Sequence, residues 1–84
     1  MGTPVVTGFA YGLREEVVVR LDGVRAFNLE RQDDVPAGGL PSWTIAAIVT
    51  AFHLGRDAAY LIEFDLHGDQ CLAVVREREI EGVA

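Results

Sequence analysis

The sequence predicts a single all-β domain. Its 84 residues are too few to divide into two folded units, and half of them are apolar, as in a globular protein. Valine-rich runs are broken by glycine at short intervals, which is typical of short strands joined by tight turns. Tyr60, Ile62 and Phe64 recur at every second position, the period of a half-buried strand. All three observations favour strands over helices.

A β-hairpin is predicted around Gly68. A β-prone run lies on each side of this glycine, which suits a tight turn. A loop of even length sets Asp65 opposite Gln70 and Phe64 opposite Cys71, and one face of the hairpin is then wholly apolar. A three-residue loop would place two carboxylates opposite each other. We therefore expect the even loop.

The stretch "DLHGDQC" at this turn carries four side chains that could bind a metal ion or act in catalysis. They are Asp65, His67, Asp69 and Cys71. In the predicted register Cys71 points to the core, Asp65 points to the opposite face, and the other two lie in the turn. A metal ion needs ligands that converge at about 2 to 2.3 Å. We therefore expect a plain hairpin with neither a metal site nor a catalytic thiol.

The segment "WTIAAIVTAFHLG", from Trp43 to Gly55, fits either a helix or a buried strand. Its large apolar residues fall at helical spacing, and Ser42 and Gly55 could cap a helix. Its β-branched residues favour a strand instead. The pattern by itself leaves both structures open for residues 45–52.

A long loop divides the first half of the chain. Residues 5–21 read as a hairpin, with "VVTGFAY" and "EEVVVRL" around "GLRE". Residues 24–29 read as a short strand. Residues 30–42, "ERQDDVPAGGLPS", contain prolines, glycines and acids without periodicity, and so predict a loop.

The charge balance argues against a nucleic-acid partner. The seven basic residues are all Arg and stand against thirteen Asp and Glu, which gives a net charge of −6. Binding to a phosphate backbone needs a basic stripe, and the one close basic pair, Arg76 and Arg78, alternates with glutamates.

Cysteine content and hydropathy bear on location and association. The single cysteine excludes an internal disulfide and fits a reducing cytoplasm. No secretory leader is visible, and no apolar run approaches the about 18 residues of a membrane span, so we expect a soluble, cytoplasmic protein with no membrane partner. A domain this small cannot bury all of its apolar residues, so some of them remain exposed on the surface. We therefore expect a homo-oligomer, a dimer or larger.

From residue 34 onward the order of short motifs resembles a family of small bacterial proteins of uncharacterised function with an SH3-like barrel fold. The family pattern is Asp-aliphatic-Pro, then Gly-Leu, an aliphatic strand ending in an aromatic residue, and a hairpin opening with Ala-Tyr-x-aliphatic-Glu-Phe. The corresponding motifs here are "DVP" at 34–36, "GL" at 39–40, "IAAIVTAF" at 45–52 and "AYLIEF" at 59–64.

The resemblance implies an SH3-like barrel of about five strands over residues 22–84, with residues 1–21 as an N-terminal extension or hairpin. It also implies that residues 45–52 form a strand. Similar barrels serve as RNA-binding modules, as peptide-binding domains and as accessory subunits of enzymes, so the fold does not determine the function. The family has no defined catalytic or binding residues to carry over.

The candidate binding residues lie in and beside the long loop. Asp33, Asp34 and Trp43 combine acids with an aromatic ring, as in barrels that bind proline-rich or basic peptides. We therefore expect a non-catalytic interaction or accessory module with a protein or peptide partner. No nucleophile with a matching base, phosphate-binding loop or paired-histidine motif is recognisable, so no catalytic residue and no cofactor are predicted.

A pocket at a subunit interface is the alternative. Trp43, His53 and Tyr60 would line it, and the protein would then bind a small molecule or act as an enzyme.

Overall fold

The computed structural model describes residues 8–36 and 38–84. Within them a turn of 3-10 helix, Glu77–Glu79, precedes the last strand, and no helix is long and apolar enough to cross a membrane. The predicted all-β class is confirmed. The strands are β1 (Glu16–Arg20), β2 (Ala26–Asn28), β3 (Asp33–Asp34), β4 (Trp43–Leu54), β5 (Asp57–Leu66), β6 (Asp69–Arg76) and β7 (Ile80–Val83).

The strands form one antiparallel sheet in the order β3-β2-β6-β5-β4-β1-β7. Strands β3 and β7 are its two edges, so this sheet of seven strands is not closed. Over residues 22–84, where about five strands were expected, the structure has six, β2 to β7. Part of the difference is β3, which lies inside the predicted loop and pairs with β2 through Phe27 opposite Asp34.

Residues 45–52 lie in strand β4, so the strand implied by the family resemblance is confirmed and the helix is wrong. The first half of β4 pairs with β1 as far as Ala47, and the second half pairs with β5 from Ala47 onward. A bulge between Ile48 and Thr50 separates the two halves. Strand pairing thus continues along the whole segment, first with β1 and then with β5, and the inward-facing side chain of Ile48 is fully buried.

The β5–β6 hairpin has the predicted register. Asp65 lies opposite Gln70, and Phe64 lies opposite Cys71. The connecting residues are His67 and Gly68, with φ angles of 53° and 91°. Two consecutive positive φ angles are typical of the type I′ turn, whose twist matches that of the flanking strands.

The N-terminal hairpin is not formed as predicted. Strand β1 does exist, but both of its edges are occupied: Val17 lies opposite Ala46 of β4 on one side and opposite Val83 of β7 on the other. Residues 5–7 of the predicted hairpin lie outside the described residues. Residues 8–15 contain turns and a single bridge instead of a strand paired with β1. The end of the chain takes the position that the hairpin partner was expected to fill.

The core lies on one face of the curled sheet. Strands near both ends of the strand order contribute residues to it. Every buried polar side-chain atom among the described residues has a hydrogen-bond partner. The buried apolar cluster consists of Val17, Val19, Leu21, Ala26, Ala46, Ile48, Tyr60, Ile62, Phe64, Cys71, Ala73, Val75 and Ile80.

Replacing Ile48 by Ala should lower the free energy of unfolding by about 2 to 5 kcal/mol, because its side chain is fully buried and the truncation leaves a cavity. Ile45→Ala is the matched control: the same substitution in the same strand, at a side chain that is 50% exposed, should cost about 1 kcal/mol or less. Urea denaturation measures both values. Equal losses would contradict the assignment of faces.

The type I′ turn can be tested at its two residues. A Cβ added at Gly68 would meet no atom within 4 Å, so Gly68→Ala should cost about 1 to 2 kcal/mol through the backbone conformation alone. His67→Asn should instead stabilise the hairpin slightly, because asparagine tolerates positive φ better than most residues. Thermal denaturation of both variants checks the opposite signs.

Candidate functional site

Trp43 is the first residue of β4, and its side chain faces outward. It lies opposite Arg20 of β1, and the backbone N–H of Leu21 donates to the Ser42 carbonyl at 2.8 Å. The tryptophan remains 60% exposed. It lines a groove of about 450 Å³, called here the Trp43 groove. The groove is lined by Val18, Arg20, Asp22, Ser42, Trp43 and Glu81.

The charges of the Trp43 groove come from β1, from the turn that follows it and from β7. Arg20 Nε lies 2.9 Å from Glu81 Oε2, and both side chains are more than half exposed, so this ion pair contributes at most about 1 kcal/mol. Asp22 has no ion-pair partner among the described residues. One free carboxylate therefore stands beside the indole ring, in a groove whose other two charges neutralise each other.

A cavity of about 450 Å³, the loop cavity, lies between residues 21–26 and the long loop. The two segments are joined where the Val35 N–H donates to the Ala26 carbonyl at 2.9 Å. The cavity has an apolar wall and three charged groups at its margin. Leu21, Val24, Val35 and Leu40 form the wall, and Asp22, Arg25 and Asp34 carry the charges.

Asp22 lines both the Trp43 groove and the loop cavity. This residue, on the turn that follows β1, is therefore shared by the two recesses. Gly23 has a φ of 75°, a left-handed conformation that glycine adopts without strain, and this allows the chain to turn back from β1 toward β2. Together the recesses make one continuous surface that could hold an extended ligand with an apolar side chain and a cation.

The three predicted binding residues are distributed over this region. Asp34 lines the loop cavity, and Trp43 lines the adjoining groove. Asp33 lines neither of these recesses; it lines a third depression with His67 and Asp69, and this depression shares Asp34 and Val35 with the loop cavity. The structure thus brings Asp34 and Trp43 to recesses that share Asp22, and places Asp33 in a depression on the other side of Asp34.

Sequence reasoning missed Asp22 and Glu81. The Asp22-Gly23 pair after a valine run is a turn signal, and it could have marked Asp22 as a loop residue beside the strand end. Glu81 carries no such signal. It reaches Trp43 only because β7 pairs with β1, a contact between distant parts of the chain.

The residues of the alternative pocket do not lie together within one chain. Trp43 and His53 stand near opposite ends of β4, roughly 30 Å apart at the rise of an extended strand. Tyr60 is fully buried. His53 packs on Phe9, with ring centroids 4.8 Å apart, and is remote from the Trp43 groove.

Tyr60 fastens the N-terminal segment to the core. Its hydroxyl accepts a hydrogen bond from the Ala10 N–H at 3.1 Å and donates to Glu77 Oε2 at 2.5 Å. The rings of Phe9 and Tyr11 both meet the Tyr60 ring edge-on, with centroids 5.8 Å away. Burial and the hydrogen bond to Glu77 raise the pKa of Tyr60 to about 12. The hydroxyl therefore stays protonated near neutral pH and serves as a structural tie.

The side chains of "DLHGDQC" do not converge. Cys71 is fully buried in the core, and burial, followed by the charges of Asp69 and Asp65, raises the pKa of its thiol. Asp69 Oδ2 accepts a hydrogen bond from Asn28 Nδ2 at 3.1 Å, while Asp65 is exposed. Across residues 8–36 and 38–84, no group of three or more His, Cys, Asp or Glu side chains could hold a metal ion.

Comparison of the chain with protein-family models, with curated proteins and with solved structures found no match. The function is therefore argued from the geometry and charge of the recesses around Asp22.

The structural role of Tyr60 predicts a pH effect. Because its pKa is about 12 in the folded chain and 10.0 when unperturbed, its contribution to stability is complete below pH 10 and is lost as the pH rises toward 12. Tyr60→Phe should lower the free energy of unfolding by about 1 to 3 kcal/mol at neutral pH and should make the alkaline decline shallower.

Denaturation at several pH values above 9 measures this effect, and the absence of lysine from the chain simplifies the alkaline titration. Tyr11→Phe, at a neighbouring tyrosine whose ring packs on Tyr60, is the matched control and should keep the steep decline. If the free energy of unfolding of the wild type and of Tyr60→Phe depended on pH in the same way, the stabilising role of the Tyr60 hydroxyl would be refuted.

Proposed function

We propose that the protein is a non-catalytic interaction module that binds an extended, basic segment of a partner protein across the Trp43 groove and the loop cavity. The observation that carries this proposal is the position of Trp43, 60% exposed in a groove that shares Asp22 with a cavity that has an apolar wall. An exposed aromatic ring next to an unpaired acid and an apolar recess is suited to peptide recognition.

The charge of the site favours a basic ligand. The face of an indole ring attracts an Arg or Lys side chain, and a nearby carboxylate adds to this attraction. The net charge of −6 draws cationic segments toward the molecule and repels phosphate backbones. A protein or peptide partner therefore fits better than a nucleic acid.

The size of the recesses also fits. Each has a volume of about 450 Å³, which lies within the range of about 300 to 1,000 Å³ for ligand sites. The cavity would take an apolar side chain of the ligand, and the groove would take the cation.

The structural roles of the Cys71 thiol and the Tyr60 hydroxyl further support a binding function. Cys71 is enclosed in the core, and Tyr60 holds Ala10 and Glu77. Nucleophilic or acid–base chemistry would need an accessible group with a pKa near the working pH. Among the described residues these two groups serve packing and hydrogen bonding.

For the fold, we propose an SH3-like barrel. The run β7-β1-β4-β5-β6, with the first and last of these five strands in chain order paired beside a three-strand meander, supports this assignment. The 3-10 turn before β7 supports it as well. The buried single cysteine fits a reducing compartment, and we place the protein in the bacterial cytoplasm.

Intrinsic fluorescence tests the binding site directly, because Trp43 is the only tryptophan of the chain. The probes are a set of proline-rich dodecapeptides that contain two arginines, and the same peptides with both arginines replaced by glutamate. We expect the arginine peptides to shift the Trp43 emission in a saturable, salt-sensitive manner and the glutamate peptides to leave it unchanged. Saturable binding of the glutamate peptides with equal affinity would contradict a basic ligand.

Two substitutions then locate the site by calorimetric titration with the best arginine peptide. Asp22→Asn should weaken binding about two- to fivefold, and Trp43→Ala by at least about tenfold. Asp65→Asn changes the net charge by the same amount at an exposed residue that lines none of the recesses, and should have almost no effect. If the two aspartate variants weaken binding equally, the attraction is only a general charge effect and the site is wrong.

A further inference from the structure

A second apolar surface lies on the outward face of β2, β5 and β6, away from the Trp43 groove and bordering the loop cavity at Arg25 and Asp34. It consists of Phe27, Leu61, Leu72 and Val74 and is called here the outer patch. Phe27 lies opposite Leu72 across β2 and β6, and Leu61 lies opposite Val74 across β5 and β6. These four alternate with the core residues of the same strands, so the sheet carries apolar side chains on both of its faces here.

The outer patch is open to solvent. Phe27 is 39% exposed, Val74 is 46% exposed, and the leucines are half-buried. The four side chains line a shallow groove of about 350 Å³. No described segment of the chain covers this groove, and such a concentration of apolar side chains on three adjoining strands is typical of an interaction surface.

The rim of the outer patch carries one charge of each sign. Arg25 and Asp34 both line the groove, both are exposed, and neither has an ion-pair partner among the described residues. An apolar centre with a charged rim is the usual composition of a protein interface. This rim differs from the acidic surface of the rest of the molecule because its two charges cancel.

A second copy of the chain is the occupant that these charges favour. In a two-fold symmetric contact, every pair of residues that meets across the axis occurs twice. If Arg25 of one subunit faces Asp34 of the other, the reverse pair therefore forms as well. Two molecules with a net charge of −6 repel each other at long range, and a locally neutral contact is where they can approach. The two edge strands are short, two residues in β3 and four in β7, so they offer few backbone hydrogen bonds for edge-to-edge pairing instead.

We propose that the chain forms a two-fold symmetric dimer through the outer patch, with the apolar side chains of β2, β5 and β6 packed against those of the second copy and two Arg25–Asp34 ion pairs at the rim. Trp43 does not line this contact and remains available to a ligand. Arg25 and Asp34 also line the loop cavity, so the dimer contact and the proposed peptide site share this margin. Sedimentation without peptide tests the dimer by itself, and titration of peptide into Val74→Glu, a variant at a residue outside both recesses, tests peptide binding by itself.

Sedimentation equilibrium over a range of concentrations tests the dimer. The wild type should approach twice the chain mass of 9.1 kDa. Val74→Glu buries an unpaired charge in the contact and should raise the dissociation constant at least about tenfold. Val83→Glu places the same charge on a valine that is 61% exposed outside the patch and should leave the dimer intact. Circular dichroism verifies that both variants fold.

A charge exchange distinguishes the two-fold contact from other modes of association. Arg25→Asp should weaken the dimer, because two like charges then meet at each rim, and adding Asp34→Arg should restore it. Added salt should strengthen the wild-type dimer by screening the repulsion between the acidic subunits, whereas it should weaken peptide binding. A wild type that is monomeric at every concentration, a Val74→Glu variant that dimerises normally, a Val83→Glu variant that is equally disrupted, or a double exchange without rescue would overturn the proposal.

Discussion

Strand β4 is shared by two neighbours along its length, and the rest of the structure depends on this arrangement. Its first half is hydrogen-bonded to β1 and its second half to β5, with the bulge between Ile48 and Thr50 at the change. A bulge bends a strand and increases its twist. The sheet can thus curl until residues near both ends of the strand order, such as Ala26 of β2 and Ile80 of β7, pack in one core.

The same arrangement builds the candidate site. Pairing of β4 with β1 sets Trp43 beside Arg20, and pairing of β1 with β7 adds Glu81. The turn after β1 then brings Asp22 to the point where the groove meets the loop cavity. The chemistry of the site is therefore assembled from separate parts of the chain, and the sheet holds these parts in register.

The two-residue period of the strands gives the two faces of the sheet different roles: one face forms the core, and the other is exposed to solvent. On the inner face Tyr60 and Cys71 are enclosed, and their pKa values are raised, so they contribute packing and a hydrogen-bonded tie. On the outer face Trp43 and the outer patch remain in contact with solvent. A small domain exposes much of its surface, and here Trp43 lies in one recess while Phe27 and Val74 lie in another, so the two surfaces can serve different partners.

Alternation and turn chemistry are local, and for that reason the sequence by itself determined the all-β class, the register of Phe64 opposite Cys71 and the inward direction of the cysteine. It also marked Trp43 and Asp34 as candidates, but not their neighbours. Only the tertiary structure decided that β7 pairs with β1, that Asp22 and Glu81 join Trp43, and that Asp33 stays apart. Those contacts join residues that are distant in sequence, and they form because the curled sheet buries its core. Patterns within a short stretch of sequence cannot predict them.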